Sequence, residues 1–337
     1  MKNKIFNIGV IILSTVMLLY FAVFSKGVNN LKYQLKNLNH FWILLSILAM
    51  ITYWIIESFV LNTFTKFLGF NQKMKDSFKI SMVGQFFNSV TPFASGGQPA
   101  QLYFMTKKDI NGGSATSILM MKLIVYQSVL TIYSLISIIL KYRFFKKNLS
   151  NFFSISIIGF LINTLIILFL LLASTKRELA EKILKGILKF LHKIHLVKNV
   201  DKTLKKLDEE IYSFHNNAVE MSKNISLLIK CTVLTFVQLT VYFIIPYFIY
   251  RGFNFNSASL WNMVSAETFL NMIVSVIPLP GAAGGSEGGF YLLFSLFFTK
   301  ETIMAALLLW RIITYYSCIA VGSLFTVTRS RKLVTNQ

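Results

Sequence analysis

The stretch Ser275–Phe294, "SVIPLPGAAGGSEGGFYLLF", decides how the chain around it folds. It lies between long apolar runs, yet it contains two prolines, five glycines and a glutamate. Proline and glycine interrupt helices, and an unpaired backbone group in hydrocarbon is expensive. Such a break is tolerated at membrane depth only where it is buried in protein or lines a cavity. We therefore expect this segment to line a cavity or to be buried in protein.

The composition of the whole chain indicates an integral membrane protein. Its 337 residues are 55% hydrophobic and only 14% charged, with a mean hydropathy of +0.61, which argues against a soluble protein. We retain the first apolar run as a helix, because it is too long for a cleaved signal peptide. Runs able to cross about 30 Å of hydrocarbon predict an all-α, polytopic helical membrane protein with six full spans, at 7–25, 41–63, 115–140, 152–173, 227–250 and 302–326.

The opening stretch has a second copy at Ser89–Phe104, "SVTPFASGGQPAQLYF". Both copies give the order S-V-x-P, then a glycine pair, then an aromatic-rich helix start. Pro92 precedes its glycine pair by four residues, and Pro278 precedes its own by six. Two related copies of a break are a stronger indication of a site than one.

The segments flanking each break are too short or too interrupted for ordinary spans, which predicts helix hairpins at 78–106 and 258–298. The chain then divides into a first membrane half, 1–140, with spans 1–3, and a second, 141–337, with spans 4–6. Three crossings per half invert the second half, so that re-entrant hairpins meet near the midplane, as in secondary transporters. The alternative, for the second hairpin, is that 258–279 and 281–298 are two tilted full spans joined by a glycine-rich turn.

Charge sets the predicted orientation. With both termini in the cytoplasm, 22 of the 34 Lys and Arg residues fall on the cytoplasmic side. Many of them lie in the insert 174–226, which contains two amphipathic helical patterns. This insert is either a basic surface helix on anionic lipid or a plain connector. Its lysines lack the aromatic interleaving of nucleic-acid sites, so we predict no nucleic-acid partner.

Five ionisable residues fall in or beside apolar segments: Glu57, Lys122, Glu267, Glu287 and Arg311. Such residues are functional candidates by default. An ion pair between Glu287 and Arg311 explains both, and alternatively Arg311 offers its donors to a phosphate. Lys122 either adds a second positive charge or extends towards the interface.

Glycine-rich turns that open a helix suit anionic ligands, because free N–H groups and the helix dipole converge there. A phospholipid phosphate fits this description. Gln98 and Ser286 follow the two glycine pairs at matching places and can add neutral donors. The two cysteines suggest neither a disulfide nor a metal site, and no P-loop occurs, so no cofactor is predicted.

At three motifs the sequence resembles the lysylphosphatidylglycerol synthase transmembrane-region family, the flippase-like membrane module of bacterial multiple peptide resistance factors. The motifs are "TPFASGGQPAQLYFMTKKDI" (91–110), "PLPGAAGGSEGGF" (278–290) and "LLLWRIITYYSCIAVG" (307–322). The resemblance implies a multi-pass bacterial plasma-membrane protein that moves a phospholipid between leaflets, phosphatidylglycerol-type or aminoacylated. It implies membrane phospholipids as partners and is compatible with a homo-oligomer.

The substrate-binding candidates combine the family's motif positions with the neighbouring polar residues. They are Pro92, Gly96, Gly97, Gln98, Pro99, Gln101, Lys122, Pro280, Gly281, Gly284, Gly285, Ser286, Glu287 and Arg311. One departure matters: many relatives carry an acid and an arginine where Gln98 and Gln101 stand, so the headgroup preference does not transfer.

Full-length resistance factors also carry a soluble domain that transfers lysine from charged tRNA to phosphatidylglycerol. The longest polar stretch here, 174–226, is too short for such a domain, so we expect no synthase activity. Two alternatives to a translocase stay open. One is a phosphatidylglycerol lysyltransferase or other lipid-modifying enzyme. The other is a non-transporting membrane partner or a carrier of a small anionic solute.

Overall fold

The computed structural model describes residues 33–148, 150–175, 200–275 and 277–326, which form helices, turns and short connections without a strand. The all-α membrane fold predicted from the sequence is confirmed. In chain order the helices are α1 (His40–Phe67), α2 (Met74–Val90), α3 (Gly97–Thr106), α4 (Gly112–Asn148), α5 (Ser150–Thr175), α6 (Val200–Lys223), α7 (Ile225–Phe243), α8 (Ile245–Gly252), α9 (Leu260–Val274), α10 (Gly285–Phe294), α11 (Ile303–Arg311) and α12 (Ser317–Thr326).

Four helical stretches are long and apolar enough to cross a membrane: α1, α4, α7 with α8, and α11 through α12. They coincide with four predicted spans to within a few residues at most ends. Helix α5 covers the predicted span 152–173 and exposes large apolar side chains such as Leu165 and Phe169, which is typical of a lipid-facing surface. The predicted span 7–25 lies outside the described residues, and the number of full spans stays a prediction.

The two proline–glycine segments each turn the chain back on itself. Helix α2 packs against α3, and α9 packs against α10, so each pair forms a helix hairpin at the place where the sequence predicts one. The tips of the two hairpins, the 3₁₀ turns Pro92–Ala94 and Pro280–Ala282, contact each other. The inversion of the second half relative to the first stays a prediction.

The last apolar stretch is interrupted by a π-helical turn, Ile312–Tyr316, that joins α11 to α12. Such turns accommodate one extra residue in a helix and are frequent at functional sites. Beyond the turn, α12 packs closely on α2, because Gly322 lacks a side chain where the Met82 carbonyl and Phe86 approach it. The π turn therefore lies between the hairpin tips and a tight helix contact.

The buried apolar side chains form two clusters. One is formed mainly by the four helices α8, α9, α10 and α11, and it includes Phe269, Phe290 and Trp310. The other joins α1, α4 and α7 and includes Phe64. Tyr242 of α7 packs against both clusters. Tyr242 therefore lies at the boundary between the two clusters.

Helix α6, which makes up most of the described part of the insert 174–226, docks on the start of α4. The Gly113 amide donates to the Glu210 carboxylate, and Asn217 Nδ2 donates to Ser114 Oγ at 2.7 Å. A carboxylate is favourable at the N-terminus of a helix, where amide groups lack partners. The pattern predicted to lie on the membrane surface, upstream of Val200, falls mostly outside the described residues.

Candidate functional site

The turns at the two hairpin tips have nearly the same backbone. Phe93 has φ 54° and ψ 20°, and Gly281 has φ 58° and ψ 16°. The following residues, Ala94 and Ala282, have φ 51° and 49°. Pro92 therefore corresponds to Pro280, not to Pro278 as the S-V-x-P comparison suggested. With this correction each proline precedes its glycine pair by four residues.

Left-handed backbone is costly for residues other than glycine. Phe93, Ala94 and Ala282 adopt it at the two tips. Strain of this kind persists where the surrounding structure enforces it, and it is concentrated at functional sites. The hairpin tips are thus the first candidates for a site.

Arg311, the last residue of α11, joins that helix to the second hairpin. Its Nε donates to Glu287 Oε1 at 2.7 Å, and Nη2 lies 2.6 Å from the same oxygen. Nη2 also donates to the Gly281 carbonyl at 3.0 Å and to Ser286 Oγ. The guanidinium carbon lies 4.8 Å from the centre of the Tyr315 ring. The ion pair that the sequence offered as one of two explanations is therefore formed.

Several amide groups at the helix starts have partners within the chain. In the second hairpin, Glu287 Oε2 accepts from the Gly284 amide at 2.6 Å. In the first, Thr91 Oγ1 accepts from the Gly96 amide at 2.8 Å, and Asn88 Oδ1 accepts from the Gly97 amide at 2.9 Å. These bonds cap α10 and α3. They also occupy donors that the sequence analysis assigned to an anionic ligand.

Lys122 of α4 forms a second buried ion pair, in the first half. Its Nζ lies 3.0 Å from Glu57 Oε1 and donates to Gln101 Oε1 at 3.1 Å. Gln85 Nε2 donates to the other Glu57 oxygen at 2.5 Å. Lys122 and Arg311 therefore have parallel positions: each lies on the helix that follows a hairpin, and each bonds that hairpin's second arm.

A partly open cavity of about 200 Å³ lies between the hairpins and α11. Its wall mixes polar and apolar side chains from both halves of the chain. Phe93 and Leu279 at the tips are exposed, while Ser286 and Arg311 are buried. The polar and charged side chains in the wall are those of Asn88, Ser89, Tyr242, Glu267, Asn271, Ser275, Ser286, Trp310, Arg311, Thr314 and Tyr315.

The structure brings three of the predicted substrate-binding residues to this cavity: Gly281, Ser286 and Arg311. Glu287 stands directly behind Arg311. Gln101 and Lys122 bond each other away from the cavity wall. The other predicted residues that do not line this cavity are Pro92, Gly96, Gly97, Gln98, Pro99, Pro280, Gly284 and Gly285.

Glu267 is the main residue of the cavity wall that sequence reasoning left out of the site. It was singled out as an intramembrane charge, but no partner was assigned to it. The side chain is 1% exposed, and Oε1 accepts from Trp310 Nε1 at 3.2 Å. Asn271, four residues later on α9, lines the same cavity. Polar residues at this spacing share a helix face, and that signal in an apolar helix was available in the sequence.

The fold and the site define a polytopic helical membrane protein in which two broken hairpins meet at a cavity lined by polar and apolar side chains. The sequence profile described as "Lysylphosphatidylglycerol synthase TM region" matches residues 6–322. The chain belongs to this family, as its three motifs suggested. It is also similar to a UPF0104 membrane protein of Archaeoglobus fulgidus, with 23% identity over 317 residues, which cover 90% of this chain and 92% of that protein.

Proposed function

We propose that the protein is a lipid translocase, which moves a phospholipid headgroup between the leaflets through the cavity between the hairpins. The observation that carries the proposal is the contact between the two tips beside a cavity lined from both halves. A path for a polar headgroup needs polar groups inside the protein and an apolar exterior for the acyl chains. The cavity wall and the lipid-facing surface supply these two features.

The family supports a phospholipid as the substrate, since it is the transmembrane region of lysylphosphatidylglycerol synthases. We propose phosphatidylglycerol-type or aminoacylated phospholipid as the substrate class. In this proposal the membrane is the bacterial plasma membrane, and both termini lie in the cytoplasm. Lipids that copurify with the protein, identified by mass spectrometry, would name the headgroup.

The test is leaflet exchange of a fluorescent phosphatidylglycerol in proteoliposomes. Asn271 lines the cavity and takes no part in the hydrogen bonds of Arg311 with Glu287, Gly281 and Ser286, so Asn271→Trp fills the cavity and leaves those bonds in place. We expect this variant to lower exchange to the rate of protein-free vesicles. Leu260→Trp is the matched control, because Leu260 is exposed on the same helix and outside the cavity wall.

Equal exchange in the wild-type protein and in Asn271→Trp would refute translocation through this cavity. A second assay addresses the lysyltransferase alternative. Purified protein is incubated with lysyl-tRNA and phosphatidylglycerol, and we expect no lysylated lipid. Formation of lysylphosphatidylglycerol would replace the translocase proposal with an enzymatic one.

A further inference from the structure

A site for an anion is expected to carry net positive charge, and the wall of this cavity does not. Arg311 is the cation in the wall, and its Nε and Nη2 both bond Glu287 Oε1 at 2.7 and 2.6 Å. The two opposite charges cancel to a first approximation. Arg311 therefore offers hydrogen-bond donors and a ring-stacked surface to the cavity, but no net positive charge.

Glu267 adds a carboxyl group to the same wall. Its Oε1 accepts one hydrogen bond, from the neutral indole of Trp310, at 3.2 Å. Its Oε2 is buried and has no hydrogen-bond partner among the described residues. An ionised carboxylate in such surroundings lacks the compensating charge that buried acids in membrane proteins normally have.

The other two acids near the site are compensated. One carboxylate oxygen of Glu57 pairs with the Lys122 ammonium group, and the other accepts a hydrogen bond from Gln85. One carboxylate oxygen of Glu287 pairs with the Arg311 guanidinium group, and the other accepts a hydrogen bond from the Gly284 amide. Within the described helices, Glu267 is thus the cavity acid whose second oxygen is left for a partner from outside the chain.

We propose that Glu267 binds a proton together with an anionic phospholipid headgroup, so that each headgroup enters the cavity with one proton. The inference rests on the proposed function for the identity of the headgroup. A phosphate beside ionised Glu267 would face a like charge at short range without a net positive charge to offset it. Protonation removes the repulsion and converts Oε2 into an O–H donor towards the cavity.

The proton balance is simple. A proton from water forms the O–H bond on Oε2 as the headgroup enters. That bond breaks, and the proton returns to water on the side where the headgroup leaves. Neither a nucleotide nor a redox partner takes part, and a difference in proton concentration across the membrane then drives net lipid movement.

The groups that act on Glu267 come from several helices. Arg311 of α11 and Tyr242 of α7 are its electrostatic neighbours. Glu287 of α10 lies behind Arg311. Beyond Tyr242 follow Tyr126 of α4 and Cys318 of α12, and then the Glu57–Lys122 pair, which is neutral as a unit.

The first test is lipid binding at a series of pH values. Short-chain phosphatidylglycerol is a suitable probe, because its phosphate stays ionised throughout the series. Affinity for wild-type protein should fall about tenfold per pH unit once Glu267 loses its proton, as linkage of one proton requires. Glu267→Gln, which resembles the protonated form, should bind equally at every pH.

The matched control is Asp76→Asn, the same chemical change at a surface ion pair with Lys108. This variant should keep the pH dependence of the wild type. Binding to wild-type protein that does not change with pH would overturn the proton proposal and leave the proposed function standing. A pH dependence that persists in Glu267→Gln would overturn the assignment to Glu267.

A second readout does not need the lipid. Infrared difference spectra between acid and alkaline pH should contain the C=O band of a protonated buried carboxyl group, and Glu267→Gln should lack it. Trp310 fluorescence should change over the same pH range, because its indole N–H bonds Glu267. If this band titrates but the protein binds no phosphatidylglycerol at any pH, the proton site stands and the proposed lipid substrate falls. If the wild-type band is absent, the proton site falls.

Discussion

Phe93 and Gly281 occupy equivalent positions at the two hairpin tips, with φ values of 54° and 58°, but their surroundings differ. Phe93 is 59% exposed, whereas the ring of Tyr315 lies where a Cβ on Gly281 would project. The same backbone conformation therefore tolerates a large side chain in one hairpin and requires its absence in the other.

We predict that Gly281→Ala lowers the free energy of unfolding by about 2–4 kcal/mol, because it adds left-handed strain and a clash with Tyr315. Phe93→Gly should change it by less than about 1 kcal/mol, since relief of strain is offset by backbone entropy. Denaturant unfolding in detergent measures both. Gly288→Ala is the control, because nothing lies within 4 Å of its Cβ position and the change should not destabilise.

The Arg311–Glu287 pair should behave as a unit. Glu287→Gln and Arg311→Gln should each cost about 3–5 kcal/mol of stability, because each leaves a buried charge without its partner. The double variant should lose much less than the sum of the two, since no unpaired charge remains. Additive losses in this cycle would contradict a stabilising ion pair.

Two lysine–acid pairs in the first half offer a direct comparison of buried and exposed ion pairs. Lys122 and Glu57 have side chains 11% exposed, while Lys108 and Asp76 are 51% and 28% exposed. Lys122→Met should cost about 3 kcal/mol or more, and Lys108→Met less than about 1 kcal/mol. The same denaturant assay applies. Similar losses for both variants would show that burial does not set the strength of the Lys122 pair.

The docking of α6 on α4 should depend on Glu210. Glu210→Gln weakens the bond to the Gly113 amide and removes a charge that the helix start favours, at a cost of about 0.5–1 kcal/mol. We expect faster hydrogen exchange of the α6 amides and unchanged exchange in α9. Glu220→Gln on the exposed side of α6 is the control and should leave exchange unaltered. Unchanged exchange in Glu210→Gln would remove this carboxylate from the docking contact.

The membrane fold and the hairpins could be predicted because they depend on composition and on helix-breaking residues. Long apolar runs mark α1, α4 and α7 through α8 without any tertiary information. Proline and glycine mark the hairpin tips for the same reason. The sequence pairs Pro92 with Pro278, because both follow the letters S-V-x, and this pairing is wrong by two residues. The backbone conformation that identifies Pro280 as the equivalent of Pro92 is visible only in the structure.

Apart from the Arg311–Glu287 ion pair, the partners of the site residues could not be predicted, because they depend on which side chains the fold brings together. The Gly96 amide is bonded by Thr91, directly after α2, and the Gly97 amide by Asn88, near the end of α2. The role of Glu267 depends on Trp310, which lies 43 residues later in the sequence. Charge type and position identified the candidates, but only the packing of helices shows which charges are already compensated.

The π turn at Ile312–Tyr316 has a consequence for comparing this chain with its relatives. A homologue with an uninterrupted α-helix there aligns with it only through a gap of one residue. Without that gap, every position after Arg311 is rotated by about 100° around the helix axis, since an α-helix has 3.6 residues per turn. The cavity-lining residue Tyr315 would then be equated with a residue on a different face of the helix. Alignments of this span are therefore best anchored twice, at Arg311 and again at Gly322.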